Sequence, residues 1–166
     1  MIIAETPRLR IRHLTATDAE FTCTLLNDPS FIENIADRQV RTPADALRYL
    51  VEGPIKSYQQ YGYGLFLVED SADSTPMGLC GLLFREHLQE TDIGFAFLPQ
   101  FWGQGYAIES ASAVLQFGYR QHKLTRIVGL VSAGNTASIK VLTKLGLQFE
   151  KVVPMQPSNE LVQLYA

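Results

Sequence analysis

The sequence predicts a single α+β domain, residues 1–166, built around a mainly antiparallel sheet. The chain is long enough to bury one substantial core, and 46% of its residues are apolar while 19% are charged, the balance of an ordinary globular protein. Several short runs alternate apolar and polar residues with the two-residue period of half-buried strands. Between them lie segments with helix-starting residues and helical apolar spacing.

The first half of the chain begins with a strand and continues with two helices. The segment RLRIRH at 8–13 places apolar residues at alternate positions, which predicts a half-buried strand. A Thr/Asp cap signal near residue 15 predicts a helix that Pro29 ends. A second helix is predicted from Thr42–Pro43 to residue 61. We expect a break near Gly53–Pro54, because a proline inside a helix removes a backbone hydrogen bond.

The rest of the chain supplies most of the sheet. Apolar runs bounded by turn residues predict strands at 61–70, 77–84, 91–98 and 125–132. Asn135 and Gly146 stand at the two cap positions of a short predicted helix. The two segments 147–153 and 160–165 predict a closing hairpin. No repeat, low-complexity segment or linker interrupts this order.

Charge and composition narrow the classes of function. A net charge of -3 gives no electrostatic reason to expect nucleic acid or an anionic membrane as a partner, and it mildly favours a cationic substrate such as an amine. No run approaches the roughly 18 apolar residues of a membrane span. Cys23, Cys80 and three scattered histidines form no metal-binding pattern, so no metal is expected. We expect a cytoplasmic protein, and a homodimer is compatible with the sequence.

A glycine-containing turn, FAFLPQFWGQGYAIES at 95–110, is the main functional signal. Pro99 ends the preceding strand, because proline cannot donate a hydrogen bond to a neighbouring strand. Gly103 and Gly105 follow, and helical spacing begins directly afterwards. This order directs the unpaired N–H groups and the positive dipole end of a helix at one point, which favours an anion, most often phosphate. We interpret Glu109, in the first helical turn, as structural.

The common nucleotide motifs do not fit this turn. The dinucleotide fingerprint requires a third glycine where the chain has Ile108, and the Gly-Lys-Ser/Thr of a P-loop is absent. What remains is Gln-x-x-Gly-x-Gly from Gln100 to Gly105. With the following Tyr106 and Ala107, this pattern resembles the acyl-CoA pyrophosphate loop of the GNAT N-acetyltransferase superfamily.

Further segments extend the resemblance over nearly the whole chain. The run DIGFAFLPQFWGQGYAIES is similar to the RimJ/RimL-type branch, the ribosomal-protein alanine acetyltransferases and their relatives. ETPRLRIRHLTATDAE resembles the opening strand and helix of that branch. NTASIKVLTKLGL resembles its second cofactor segment, an Asn-x-x-Ser helix, and MGLCGL also fits the order.

The resemblance implies a GNAT-like acyl-CoA N-acyltransferase fold. Such a fold has a mostly antiparallel, twisted sheet of about seven strands flanked by about four helices, and its fourth and fifth strands splay apart around the pantetheine arm of acetyl-CoA. The backbone of 95–97 would pair with pantetheine, and the amides of 102–107 would hold the pyrophosphate. Trp102 would cover the cofactor or pack on the sheet edge. The cofactor-binding residues implied are Phe95, Ala96, Phe97, Gln100, Trp102, Gly103, Gln104, Gly105, Tyr106, Ala107 and Asn135.

Acetyl transfer from a thioester needs a neutral amine, stabilisation of the oxyanion and a proton for the departing thiolate. Asp92 is the first candidate for the base, and Glu90 is the second. An equally weighted alternative is that both are solvated surface charges at the end of a strand. Ser138 matches the serine of the Asn-x-x-Ser segment and is the candidate acid. The alternative is an ordinary serine in the first turn of a helix, without a catalytic role. Many relatives carry a tyrosine as the acid where this chain has Leu142, which excludes that mechanism here.

The resemblance therefore implies an N-acetyltransferase that moves an acetyl group from acetyl-CoA directly to a primary amine in a ternary complex. The acceptor is left open between a protein N-terminal α-amine and a small-molecule amine. The alternative is a non-catalytic acyl-CoA-binding domain on the same fold, since a fold does not fix a function. A nucleotide-dependent oxidoreductase does not fit, because the third glycine and a parallel strand pattern are absent.

Overall fold

Eight strands and six α-helices form the fold in the computed structural model, which describes residues 1–166. The strands are β1 (Ile2–Glu5), β2 (Leu9–His13), β3 (Leu65–Asp70), β4 (Pro76–Arg85), β5 (Glu90–Phe97), β6 (Gly129–Val131), β7 (Phe149–Pro154) and β8 (Leu161–Tyr165). The helices are α1 (Ala19–Leu26), α2 (Pro29–Asn34), α3 (Pro43–Leu50), α4 (Lys56–Tyr61), α5 (Tyr106–Gln121) and α6 (Thr136–Lys144).

The strands form two antiparallel sheets. The larger sheet has the order β1-β2-β3-β4-β5, and the smaller has the order β6-β8-β7. The pair β4–β5 keeps its register from Gly78 opposite Phe97 to Arg85 opposite Glu90. The predicted α+β class with a mainly antiparallel sheet is confirmed, with eight strands where about seven were expected and six helices where about four were expected.

Two differences lie near the N-terminus. The strand β1 was not predicted, because its four residues are too few to show a two-residue period; it forms by pairing with β2. Pro29 was predicted only to end a helix, and it also begins α2, a position that proline favours because its missing N–H has no helical partner there. Asp28 caps α2 by accepting a hydrogen bond from the Ser30 amide at 2.9 Å.

The predicted break in the second helix is confirmed. Thr42 and Asp45 form a reciprocal capping box at the start of α3, with the Asp45 amide donating to Thr42 Oγ1 at 3.1 Å. A π-helical turn from Val51 to Ile55 contains Pro54 and separates α3 from α4. Gly62, with φ of 81°, ends α4 in the left-handed conformation.

Helices cover both faces of the larger sheet. In β3, Phe66 and Val68 enter a core shared with α5, while Leu67 enters a second core shared with α1 and α3. This separation follows from the alternation of side chains along a strand. Each fully buried large apolar side chain contributes about 1.5–3 kcal/mol to stability. The sheet between these two cores is therefore a rigid support for the residues at its edge. None of the six helices is both long and apolar enough to cross a membrane.

The two sheets meet at one point and then separate. The Ile93 amide donates to Val128 O at 2.8 Å, and the Val128 amide donates to Thr91 O at 2.9 Å. This parallel bridge between Asp92 and Val128 is isolated. The segment 125–132 was predicted as one strand, but regular pairing with β8 is limited to β6. The splay expected at the fourth and fifth strands is present; these are β5 and β6 once β1 is counted.

Candidate functional site

The C-terminal half of β5 has an open edge. Thr91 and Ile93 direct backbone groups to Val128, and successive residues of an antiparallel strand direct their backbone groups to opposite edges. The N–H and C=O of Phe95 therefore face the gap between β5 and β6, beyond the last bond between the two sheets. An unpaired strand edge of this kind can accept an extended ligand as an additional strand.

The glycine turn leads from this edge to the start of α5. Gly103 and Gly105 have φ of 72° and 83°, a left-handed conformation that side-chain-bearing residues rarely adopt. Gly105 is the N-cap of α5, and the first intrahelical bond is donated by the Glu109 amide to Gly105 O. The amides of residues 106–108 are thus without helical partners, and the 16-residue helix adds its dipole. The arrangement suits an anionic ligand.

Two residues of the β1–β2 turn hold the start of α5 in place. Glu109 accepts hydrogen bonds from Thr6 Oγ1 at 2.6 Å and from Arg8 Nε at 2.7 Å. Arg8 also donates to Gln104 O at 2.9 Å and lies over the Tyr106 ring, 4.3 Å from its centroid. Burial would raise the pKa of Glu109, but the bonds from Thr6 and Arg8 outweigh it and keep that pKa below its usual value. Glu109 is therefore an anchor of the turn.

A cavity of about 530 Å³ joins the open edge, the glycine turn, α2 and the start of α6. Nine of the eleven predicted cofactor residues line it: Phe95, Ala96, Phe97, Trp102, Gly103, Gly105, Tyr106, Ala107 and Asn135. Gln100 and Gln104 do not; the Gln104 side chain donates to Gln100 O at 3.1 Å outside the cavity. The structure thus brings together most of the residues that the sequence assigned to one ligand.

Trp102 packs at the sheet edge, one of the two roles that the sequence left open, and its role in covering the cofactor stays a prediction. Its indole Nε1 donates to Phe97 O at 2.8 Å, which ties the turn to the strand edge. Its side chain also lines the cavity and remains 52% exposed. This bond uses the carbonyl of Phe97, so Phe95 provides the open backbone groups.

Helix α6 contributes the opposite wall. Asn135 Oδ1 accepts a hydrogen bond from the Ser138 amide at 3.2 Å, so Asn135 is the N-cap as predicted. The Ser138 hydroxyl lines the cavity and has no hydrogen-bond partner within the chain. Leu142, one turn further along, is only 2% exposed and packs over Gly129 in the core. Ser138 is therefore a residue of α6 in the cavity wall whose hydroxyl makes no hydrogen bond within the chain.

The two candidate bases lie in different surroundings. Glu90 accepts from Arg126 Nε at 3.0 Å, and Arg126 also binds Glu150 on β7 at 2.8 Å. Glu90 lines neither large cavity; it is part of a network that joins the two sheets. A catalytic role for Glu90 stays a prediction without geometric support.

Asp92 is 3% exposed and pairs with Arg85, whose Nε lies 2.5 Å from Asp92 Oδ2. Burial raises the pKa of Asp92 above its ordinary value, while Arg85 acts in the opposite direction. The second carboxylate oxygen, Oδ1, has no hydrogen-bond partner in the chain. Asp92 also lies at the bridge where the two sheets meet, three residues before Phe95. Like Glu90, Asp92 lines neither cavity, so its role as the base also stays a prediction; what distinguishes it is a carboxylate oxygen without a hydrogen-bond partner at the point where the two sheets meet.

A second, wider groove of about 1010 Å³ lies on the side of the sheet covered by α3 and α4. Its walls include Arg38, Tyr49, Lys56, Leu83 and Arg85. Leu83 stands opposite Asp92 in the β4–β5 register, so this groove begins beside the buried ion pair. Phe95 lies three positions after Asp92 on β5, about 10 Å further along at the rise of a strand. The groove reaches β4 at Leu83, opposite Asp92, and no residue of β5 lines the groove itself.

Sequence reasoning missed part of the cavity wall. Lys140 and Lys144 of α6 line it together with Ser30, Phe31, Asn34 and Ile35 from and just after α2. The two lysines are four residues apart and so share a helix face with one another, a signal that the sequence contains. The family resemblance places Phe31 in a segment that lines the acceptor side in relatives, with a core role as the alternative, but no local pattern shows that α2 borders this cavity, because that depends on how the chain folds back over the sheet. No group of three or more metal-ligating side chains occurs in the structure.

Comparison with known proteins gives a consistent result. Residues 8–148 match the family model described as the acetyltransferase (GNAT) domain. The protein YkkB of Bacillus subtilis is 29% identical over 154 residues, covering 89% of this chain and 86% of YkkB. A GNAT-family acetyltransferase of Bacillus anthracis, solved as a crystal structure, is 26% identical with a TM-score of 0.79, covering 99% and 95% of the two chains.

A structure of RimL, described as a ribosomal L7/L12 alpha-N-protein acetyltransferase in complex with coenzyme A, is also similar. The TM-score is 0.85 over 99% of this chain and 96% of that chain, at 18% identity. At this identity the likeness concerns the fold alone.

Proposed function

The chain belongs to the GNAT acetyltransferase family and is an acetyl-CoA-dependent acetyltransferase, and we propose that it transfers the acetyl group directly to a primary amine in a ternary complex. The acceptor in this proposal is a protein N-terminal α-amine or a small-molecule amine. Membership of the RimJ/RimL-type branch is part of the proposal, supported by the glycine-turn and Asn-x-x-Ser segments.

One observation supports the cofactor site most strongly. The open backbone edge at Phe95 continues without interruption into the turn at Gly103–Gly105 and the unpaired amides of α5, and one cavity borders all three. Pantetheine is an extended chain with amide groups, which fits the strand edge. Pyrophosphate is an anion, which fits the helix start. CoA carries these two chemical groups in the same order as the protein presents their partners.

The side chains available for catalysis are few. In this proposal the amine attacks the thioester carbon, the tetrahedral intermediate collapses, and the thiolate leaves with a proton from the Ser138 hydroxyl. Asp92, through its unpaired Oδ1, takes the proton lost by the amine. An α-amine with an ordinary pKa near 8 is partly neutral at neutral pH, so this acceptor needs little help from a base. A lysine-like amine, with an ordinary pKa near 10.4, needs more.

The family assignment favours an enzyme over the non-catalytic acyl-CoA-binding domain. Leu142, in place of the tyrosine that many relatives carry, was the sequence feature in favour of that alternative. Leu142 packs in the core against Gly129, whereas Ser138 lines the cavity. With leucine in place of the tyrosine, Ser138 is the hydroxyl that α6 contributes to the cavity wall. A missing tyrosine here means a different proton donor in this proposal, not an empty site.

A screen of primary amines that follows thiol release from acetyl-CoA tests the function. We expect at least one acceptor class to release thiol in proportion to amine acetylated. Ser138→Ala should lower kcat, nearer to 10²-fold than to 10⁴-fold, the usual range for general acid–base catalysis being about 10²–10⁴. Asp92→Asn should retain acetyl-CoA affinity and lose the rise of kcat/KM on the basic side of the pH profile.

Two outcomes would count against these assignments. If acetyl-CoA binds but no amine in a broad screen releases thiol, the catalytic proposal is wrong. If both variants turn over as the wild type does with a saturating acceptor, positioning and backbone groups carry the reaction, and the roles given to Ser138 and Asp92 must be withdrawn.

A further inference from the structure

The wide groove beside the Asp92–Arg85 pair carries more positive charge than the chain as a whole. The net charge of the protein is -3, yet three cationic side chains line this groove: Arg38, Lys56 and Arg85. Two acidic residues, Glu52 and Glu86, also line it and are exposed. The groove therefore offers partners to both ends of a molecule that carries an amine and an anion.

Arg85 is held in a fixed position with most of its donors free. Its Nε is used by the buried Asp92 carboxylate, and its two Nη groups have no hydrogen-bond partner within the chain. An arginine that is fixed by one carboxylate loses less side-chain entropy when it binds a second anion, and its planar fork matches carboxylate or phosphate oxygens. The geometry is that of a pre-arranged anion-binding group.

Arg38 and Tyr49 stand in the same part of the groove. Arg38 is exposed and takes part in no ion pair or side-chain hydrogen bond within the chain. Burial raises the pKa of the Tyr49 hydroxyl, whereas the nearby charges of Arg38 and Arg85 lower it, so both guanidinium groups act on one hydroxyl. That hydroxyl has no hydrogen-bond partner in the chain either. One groove is thus lined by Arg38, the Tyr49 hydroxyl and Arg85, and Arg38, that hydroxyl and the Nη groups of Arg85 have donors that no group of the chain uses.

We propose that the acceptor amine carries an anionic group, a carboxylate or a phosphate, and that Arg85 and Arg38 bind this group in the groove. This inference rests on the proposed amine acetylation. Leu83 in the groove wall stands opposite Asp92, which precedes Phe95 by three positions, about 10 Å along β5, and in this proposal one small acceptor extends from the groove to the open edge. Glu52 and Glu86 at the groove attract the ammonium form of the same molecule while it approaches.

The test compares acceptors that differ only in the anionic group. An ω-amino carboxylate, an aminoalkyl phosphate and an amino alcohol of equal chain length are assayed by thiol release from acetyl-CoA. We expect the better anionic acceptor to exceed the alcohol in kcat/KM by about 10- to 100-fold, the usual effect of a charge-assisted hydrogen bond. Comparison of the carboxylate and phosphate arms identifies which anion the groove binds.

Three variants assign the effect to residues. Arg38→Gln removes an exposed cation, and Arg85→Lys keeps a cation beside Asp92 and so protects the fold. Arg48→Gln is the control, because Arg48 is an exposed arginine of α3 that does not line the groove. Arg38→Gln should raise KM for the anionic acceptor with little change in kcat and leave KM for the alcohol unchanged, whereas the control should change neither. Arg85 also contacts Asp92, so for Arg85→Lys the readout is the ratio of kcat/KM for the anionic acceptor to kcat/KM for the alcohol, which should fall.

The outcomes separate this inference from the proposed function. If the alcohol is acetylated as efficiently as both anionic acceptors, the anion site is refuted while amine acetylation stands. The same conclusion follows if Arg38→Gln and Arg85→Lys affect the alcohol and the anionic acceptor to the same extent. If no amine releases thiol although acetyl-CoA still raises Tm, the acceptor proposal fails and the anion site fails with it.

Discussion

Replacing Gly103 by alanine separates cofactor binding from backbone strain. Gly103 has φ of 72° and Gly146 has φ of 93°, and a Cβ added at either residue meets no atom within 4 Å. Only Gly103 lines the cavity. Both Gly→Ala variants place an L-residue in the left-handed region, which costs about 1–2 kcal/mol. In a domain of this size each kcal/mol lowers Tm by roughly 2–4 °C, so both variants should lose a similar few degrees.

The two variants should differ in their affinity for acetyl-CoA. If the turn binds pyrophosphate as proposed, a methyl group at Gly103 occupies space where phosphate oxygens approach backbone amides, and the loss of one hydrogen bond to a charged group costs about 1.5–3 kcal/mol. This corresponds to an increase in Kd of roughly 10- to 100-fold, measured by calorimetry. Gly146→Ala should bind like the wild type. Wild-type affinity in Gly103→Ala, or equal losses in both variants, would refute the assignment of the turn to the pyrophosphate.

Two further predictions concern charge. The double variant Lys140→Gln/Lys144→Gln should raise KM for acetyl-CoA by up to about tenfold at low salt and by much less at high salt, because exposed ion pairs are weak and screened; the pair Lys123→Gln/Lys151→Gln, outside the cavity, should have no effect in the same titration. Asp18 is buried, and burial would raise its pKa. Hydrogen bonds donated by Arg12 on β2 and by Thr15 outweigh the burial and lower the pKa of Asp18. A lowered pKa in the folded state adds stability above the unfolded pKa near 4, and this stability is lost as pH falls through the folded-state pKa. Asp18→Asn should therefore reduce the free energy of unfolding by about 1–3 kcal/mol at pH 7 and much less at pH 3, measured by urea denaturation; an equal loss at both pH values would contradict the ion-pair explanation.

The sequence determined the local elements that have a periodic or capping signal. The strand β2 follows from alternating apolar residues, β3 to β5 follow from apolar runs bounded by turn residues, and α6 follows from Asn135 and Gly146 at its two ends. The glycine turn was also readable, because its chemistry is local: a strand, a proline, two left-handed glycines and a helix start are consecutive in the chain. Eight of the nine predicted cavity residues lie in this continuous segment, and the family resemblance carried by its motif implied them; the ninth, Asn135, came from the Asn-x-x-Ser segment of α6.

Only the tertiary structure decided what depends on contacts between distant segments. Nothing near Glu109 in the sequence reveals Arg8 as its partner, and nothing near Asp92 shows that Arg85 holds it in a buried pair. The sequence likewise did not show that Glu90 pairs with Arg126 or that α2 forms part of the cavity wall, since both depend on contacts between distant segments. A sequence pattern reports how one segment presents its own side chains. The pairing of charges and the closing of a cavity depend on which segments meet, and that is set by the packing of the whole chain.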